Sequence, residues 1–238
     1  CPISSTALAE ENRNYDRQAY RSGRLGPAGK NTCAIAGLAI FRGKVIFTPQ
    51  LRGRKFCARE IVRKYLPMEK ILILQTREAG LADFEKKLII RQTNLPPNKF
   101  LSHNFLTARR LPELNGVSHV IMTGSSTNVS DGEQSWFPAG RKVVAWCRRA
   151  EIPFLGICFG LHFLAFTGGG KIVKNKNRAE LGAVKIATRN TAGTFFDFLP
   201  RSFLANEAHS DFVTHLPAGF RSLGSSASCP IQIIAHRT

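Results

Sequence analysis

From Lys70 onward the chain repeats one pattern: a short apolar run, then a segment with helical spacing. "KILILQT", "VSHVIMTGSS" and "IPFLGIC" are runs of the first kind, as strands buried on both faces of a parallel sheet are. "ADFEKKLIIRQ" and "AGRKVVAWCRRA" carry helical periodicity between them. "FGLHFLAFTGGG" reads as a third helix, stopped by three glycines. The last third, with "LGAVKIATR", "SFLANEAHSDFV" and "CPIQIIAHR", reads as strands in a more antiparallel style. Alternation of this kind implies an α/β sheet with right-handed crossovers, and it places functional residues at the carboxyl ends of the strands.

The rest of the composition narrows the class. At 238 residues and 43% hydrophobic content the chain suits one ordinary domain plus an extension. No apolar run approaches the roughly 18 residues of a membrane span. Residues 1–67 hold thirteen Lys/Arg against four Asp/Glu, half of the formal net charge of +18. "NRNYDRQAYRSGRLGPAGKNT" is polar and aperiodic, whereas "CAIAGLAIFRGKVIF" has the composition of a short strand or helix. The expectation is a basic leader over 1–67, disordered or transit-like, followed by a domain over 68–238. A nucleic-acid-binding arm is the weaker reading, because few aromatic residues, Tyr15, Tyr20 and Phe56 among them, interleave the basic ones. The first residue is Cys rather than Met, so the natural start is expected to lie elsewhere. The six cysteines, at positions 1, 33, 57, 147, 158 and 229, form no CxxC pair. That argues against a zinc site or a disulfide framework and for a reducing, cytoplasmic setting, with organelle targeting by the leader as the alternative. No metal or organic cofactor site is visible.

Cys158 stands where the third run turns into a helix, between Gly156 and Gly160. A nucleophile elbow needs small residues two positions on either side, because neighbouring backbone approaches closely there. The helix N-terminus beneath the sulfur favours the thiolate, and the Phe159 N–H points toward a developing oxyanion. A buried structural cysteine is the alternative, since free Cys is among the most buried residue types.

"GICFGLHFLA" resembles the nucleophile segment of class I glutamine amidotransferases, in particular stand-alone domains similar to the glutaminase part of GMP synthase. "MTGSSTNVSD" is similar to that family's oxyanion-strand segment. "GGGKIVKNKNRAELGAVKI" fits the next segment, with Glu180-Leu181-Gly182 at its marker position. "AHSDFVTHLPAGF" and "CPIQIIA" follow in the family's order. The resemblance covers Lys70 to the end and implies a flavodoxin-like, mostly parallel sheet with flanking helices. It also implies a chemistry in which Cys158 attacks the side-chain amide of glutamine, ammonia leaves, and a thioester is hydrolysed to glutamate. The oxyanion would be held by the N–H groups of Phe159 and of Gly124 or its neighbour Ser125. His209 and Asp211 match a motif near the site in a supporting role, with a polar pair closing a loop as the alternative.

Two departures qualify the resemblance. The family has Gln four residues after the cysteine, and this chain has His162 there. His162 either faces the site one turn above Cys158 or is a satisfied helix histidine. The family's base and orienting group come from a His-Pro-Glu motif after a further strand, and the sequence stops at "IQIIAHRT" before it. His236 lies too early in the order to replace that base. The expectation is therefore a C-terminally truncated chain, inactive as it stands, whose full form is a glutaminase-type hydrolase. A γ-glutamyl peptidase of the same fold and a catalytically dead binding module are the alternatives. The partners implied are glutamine or a γ-glutamyl compound and a separate synthase chain. Asp131, Glu133 and Trp136 read as ordinary loop residues, and Lys171, Lys174 and Lys176 as a solvated turn.

Overall fold

The computed structural model describes residues 69–93, 95–108 and 110–236, together with the backbone of 38–41. Four strands form a parallel array in the order β3 (Phe100–Asn104), β2 (Lys70–Thr76), β4 (Val117–Ser125) and β5 (Phe154–Ile157). Ile73 and Leu74 of β2 are fully buried, along with Leu72, Gln75 and Thr76, which is why "KILILQT" is apolar without alternation. Helices α1 (Ala79–Thr93), α2 (Phe137–Arg149) and α3 (Phe159–Thr167) follow β2, β4 and β5. This is the α/β arrangement that the strand–helix alternation implies, and it is the flavodoxin-like fold that the resemblance implies.

The other half of the nine-stranded sheet is antiparallel in style. Beyond β5 come β1 (Leu38–Phe41), β11 (Ile233–His236), β10 (Phe220–Ser225), β7 (Glu180–Thr188) and β8 (Ser202–His209). A separate ribbon pairs β6 (Lys171–Lys174) with β9 (Asp211–His215). β1 comes from the segment read as a leader. It runs antiparallel to β5 and parallel to β11, with Leu38 opposite both Ile157 and Ile233. It thereby joins the parallel and antiparallel halves into one sheet. The remainder of the disordered or transit-like expectation for 1–67 lies outside the described residues, apart from these four.

Three strands escape the sequence reading. β3 carries "FLSHN", whose polar residues face a half-exposed sheet edge. β6 is four residues long with a lysine at each end. Lys171 and Lys174 therefore belong to a strand rather than a solvated turn, and Lys174 Nζ pairs with Asp131 at 2.8 Å. β10 is broken by a register shift between Ser222 and Gly224.

The core between sheet and helices is aromatic. Trp136, 2% exposed, belongs to it and not to an ordinary loop. Its ring stacks on Phe105 at 5.0 Å and meets Phe137 at 4.6 Å and Phe163 at 5.2 Å. Phe159, Leu161, His162, Phe163, Leu164 and Ala165 of α3 are all buried, so this helix is enclosed on every side. No helix among the described residues is long and apolar enough to cross a membrane. Trp136→Ala is expected to cost about 3–5 kcal/mol, read by urea denaturation; a loss below about 1 kcal/mol would contradict the packing described.

Candidate functional site

The site grows from a backbone contact. A Cβ added to Gly156 would lie 2.5 Å from the Gly160 carbonyl carbon and oxygen. One added to Gly160 would lie 2.3 Å from the Met122 carbonyl oxygen of β4. Only glycine fits at either position, so α3 starts directly against the ends of β4 and β5. The chain makes the turn at Cys158, which has φ 52° and ψ −105°. A non-glycine residue in that region stores of order 1–3 kcal/mol of strain. The thiol donates to the Ala208 carbonyl at the end of β8, 3.9 Å away. Three described cysteines are free. Cys147 and Cys229 are each 1% exposed, whereas Cys158 is partly open to solvent.

The end of β4 forms one wall. Its pairing with β5 runs as far as Met122 opposite Gly156, so Gly124 and Ser125 continue past the end of β5 on the same side as Cys158. Ser125 Oγ donates to the Thr76 carbonyl at 3.2 Å and accepts from the Thr127 N–H at 3.1 Å. Its hydroxyl thus holds the loop in shape. Arg77, directly after β2, lies over Gly124: its Nη2 would be 2.6 Å from a Cβ there. Glu85 holds it through Nε at 3.2 Å. The sequence reading passed over Arg77, although its place at a strand's carboxyl end is the signal that finds such residues.

The opposite wall comes from β7, β8 and β9. Asp211, 1% exposed, accepts from the Ser130 N–H at 3.1 Å and from the Ser130 hydroxyl. It ties β9 to the loop after β4, and burial pushes its carboxyl above the usual range. His209 Nδ1 lies 3.0 Å from the Asp211 carbonyl. His162 is buried on α3 with its ring 6.0 Å from that of His209. Burial first, with His209 nearby as the second cause, lowers its pKa to about 3, so it stands as a neutral ring 6.0 Å from that of His209.

Beside His209 stand three residues that the sequence reading did not assign to a site. Glu180, Glu207 and Gln232 are all buried. The pairing of β7 with β8 sets Glu180 opposite His209 and Gly182 opposite Glu207. Glu207 and His209 share one face of β8 because they are two positions apart. Burial, reinforced by the charge of Glu180, pushes the Glu207 carboxyl up to about 8.

The electrostatics correct one expectation. The helix N-terminus does not leave Cys158 a ready thiolate. Desolvation pushes its pKa up to about 11; the charge of Arg77 and the Phe159 N–H draw it down, while Glu207 and Asp211 raise it. Alkylation of Cys158 by iodoacetamide should therefore climb steadily with pH from 7 to 10, at about tenfold per unit, because only the thiolate reacts. A plateau below pH 9, by mass-spectrometric quantification, would contradict this. Arg77→Met should slow the reaction at every pH.

Comparison with known proteins places the chain in a family. The family described as Glutamine amidotransferase class-I matches residues 93–238, more than half of the chain. A glutamine-hydrolyzing GMP synthase of Limosilactobacillus reuteri is 33% identical over 138 residues, covering 58% of this chain and 25% of that protein. One subunit of a glutamine-hydrolyzing GMP synthase of Thermoplasma acidophilum is 29% identical over 126 residues, 53% of this chain and 60% of that one. The chain thus spans about a quarter of the length of the first of these relatives. Among solved structures, a protein described as a GMP synthase subunit from Thermoplasma acidophilum superposes with a TM-score of 0.55 at 24% identity, over 71% of this chain and 83% of that one. A glutamine amidotransferase from Thermotoga maritima gives 0.57 at 21% identity, over 71% and 75%. With the family's match running from the end of α1 through β3 to β11 and both later helices, the chain belongs to the class-I glutamine amidotransferases.

Proposed function

We propose that Cys158 is the nucleophile of a glutamine-hydrolysing site. The observation that carries the reading is the strained Cys158 turn, locked by Gly156 and Gly160 and partly open to solvent where Cys147 and Cys229 are sealed. The Sγ–H gives up its proton and the sulfur attacks the γ-carbonyl carbon of glutamine. The C–S bond forms, the C–N bond breaks, and the proton leaves with ammonia. Water then attacks the γ-glutamyl thioester, the C–S bond breaks, and glutamate and the free thiol are released. The Phe159 N–H supplies one oxyanion donor, and the Gly124–Ser125 backbone beyond the end of β5 supplies the other. Arg77 sets the field over the thiol, while Asp211 and Ser125 hold the walls.

Proton removal is the slow step in this chain. Among the described residues the hydrogen-bond partner of the thiol is the Ala208 carbonyl, which accepts and cannot serve as an imidazole base. Turnover of glutamine by the chain alone is therefore slow, and the ammonia is destined for a synthase carried on a separate chain. The Thermoplasma relative, itself one subunit of a GMP synthase, supports that division of labour.

An activated γ-glutamyl ester, whose leaving group needs no protonation, separates nucleophile from base. It should give one equivalent of released alcohol and a γ-glutamyl adduct on Cys158, both lost in Cys158→Ser. A burst that survives Cys158→Ser, or none in the unmodified chain, would overturn the reading. Free imidazole added to the buffer should raise glutamine-dependent ammonia release.

A further inference from the structure

The geometry points to a divalent-cation site formed by Glu180 of β7 and Glu207 and His209 of β8, beside Cys158, whose thiol lies 3.9 Å from the carbonyl of the intervening Ala208. One donor atom from each of the three residues lies within 4.8 Å of the other two. The tautomer of His209 is fixed by its surroundings. Nδ1 lies 3.0 Å from a carbonyl, which only accepts, so Nδ1 carries hydrogen and Nε2 presents its lone pair to the cluster. That nitrogen is 3.2 Å from Glu180 Oε2 and 3.7 Å from Glu207 Oε2. Three electron-rich atoms therefore converge where the protein offers little positive charge.

The hydrogen bonds present account for Glu180 and His209 but not for Glu207. Ser226 Oγ donates to Glu180 Oε1, and Gln232 Nε2 donates to Glu180 Oε2 and lies 3.2 Å from His209 Nε2. These satisfy Glu180 and give His209 a contact. They leave Glu207, whose side chain is 3% exposed and whose Oε1 has no hydrogen-bond partner among the described residues. A buried carboxylate aimed into a cluster of acceptors costs several kcal/mol unless something electropositive lies among them.

A tetrahedral ion with ligands about 2.1 Å away sets them about 3.4 Å from one another. The separations from His209 Nε2, 3.2 Å and 3.7 Å, bracket that value, and the third separation is at most 4.8 Å. The backbone carbonyl of Asp211 on Nδ1 is the outer contact that orients ligating histidines, and Ser226 does the same for Glu180. One imidazole with two carboxylates suits zinc, cobalt, manganese or iron(II), and not the all-oxygen shells of calcium or magnesium. Solvent or a bound ligand would complete the shell, and the Gln232 amide oxygen offers a further donor once that amide turns over.

Cobalt(II) titration of the 238-residue chain tests the site. We expect one equivalent bound by equilibrium dialysis, with visible d–d bands and no thiolate charge-transfer band in the near ultraviolet. Cys158→Ser should bind as the parent does, whereas Glu207→Gln and His209→Gln should weaken binding at least about tenfold. The spectrum of the parent chain needs no variant to fold: a thiolate band would place the ion on a cysteine and overturn the proposal. Absence of stoichiometric binding, or unchanged binding in a folded Glu207→Gln, would overturn it equally and show that protons shared between the carboxyls balance the cluster. Cobalt binding retained by Cys158→Ser separates this site from the nucleophile, whereas its loss there would place the ion on the thiol and overturn the proposal.

Discussion

The contact between the start of α3 and the ends of β4 and β5 governs the rest of the structure. Gly160 lies against the Met122 carbonyl, and Gly156 against Gly160 itself. With no side chain between them, strand and helix meet at backbone distance, and Cys158, midway between the glycines, must turn through a left-handed conformation. That turn lifts Cys158 out of the sheet while the helix behind it is sealed by Trp136, Phe137 and Phe163. The strain is sustained because this aromatic packing fixes both sides of the turn. Cys147 and Cys229, which lie in ordinary buried positions with thiols pushed up to about 12, show what a cysteine of this fold looks like without such a turn.

Access, more than acidity, sets Cys158 apart. Burial raises its thiol nearly as far as those of the other two cysteines, and the Phe159 N–H and Arg77 recover only part of the difference. The turn thus sets the position of the sulfur more than its acidity.

The legible parts of the sequence are those decided by local spacing. The "KILILQT" run, the glycines around Cys158 and the helices after each strand all follow from periodicity and from the geometry of a turn. The illegible parts depend on distant partners. β6 is four residues with a lysine at each end, and only its pairing with β9 makes it a strand. Trp136 follows a loop in sequence but is drawn into the core by Phe105, which lies just beyond another strand. Glu180 and His209 are 29 positions apart and meet because β7 and β8 pair in one particular register. The thiolate expectation fails because a helix start is visible in sequence, whereas the burial that raises the Cys158 thiol depends on the tertiary fold.

The central claim is that the Cys158 turn builds a pocket for a γ-amide, and selectivity among the three described cysteines tests it most directly. A glutamine-analogue electrophile is compared with iodoacetamide on the same sample, with modified sites mapped by mass spectrometry. The account predicts that the analogue labels Cys158 in large excess over Cys147 and Cys229, and that free glutamine slows this labelling but not the iodoacetamide reaction. Equal labelling of the three cysteines by the analogue, or no protection by glutamine, would contradict it.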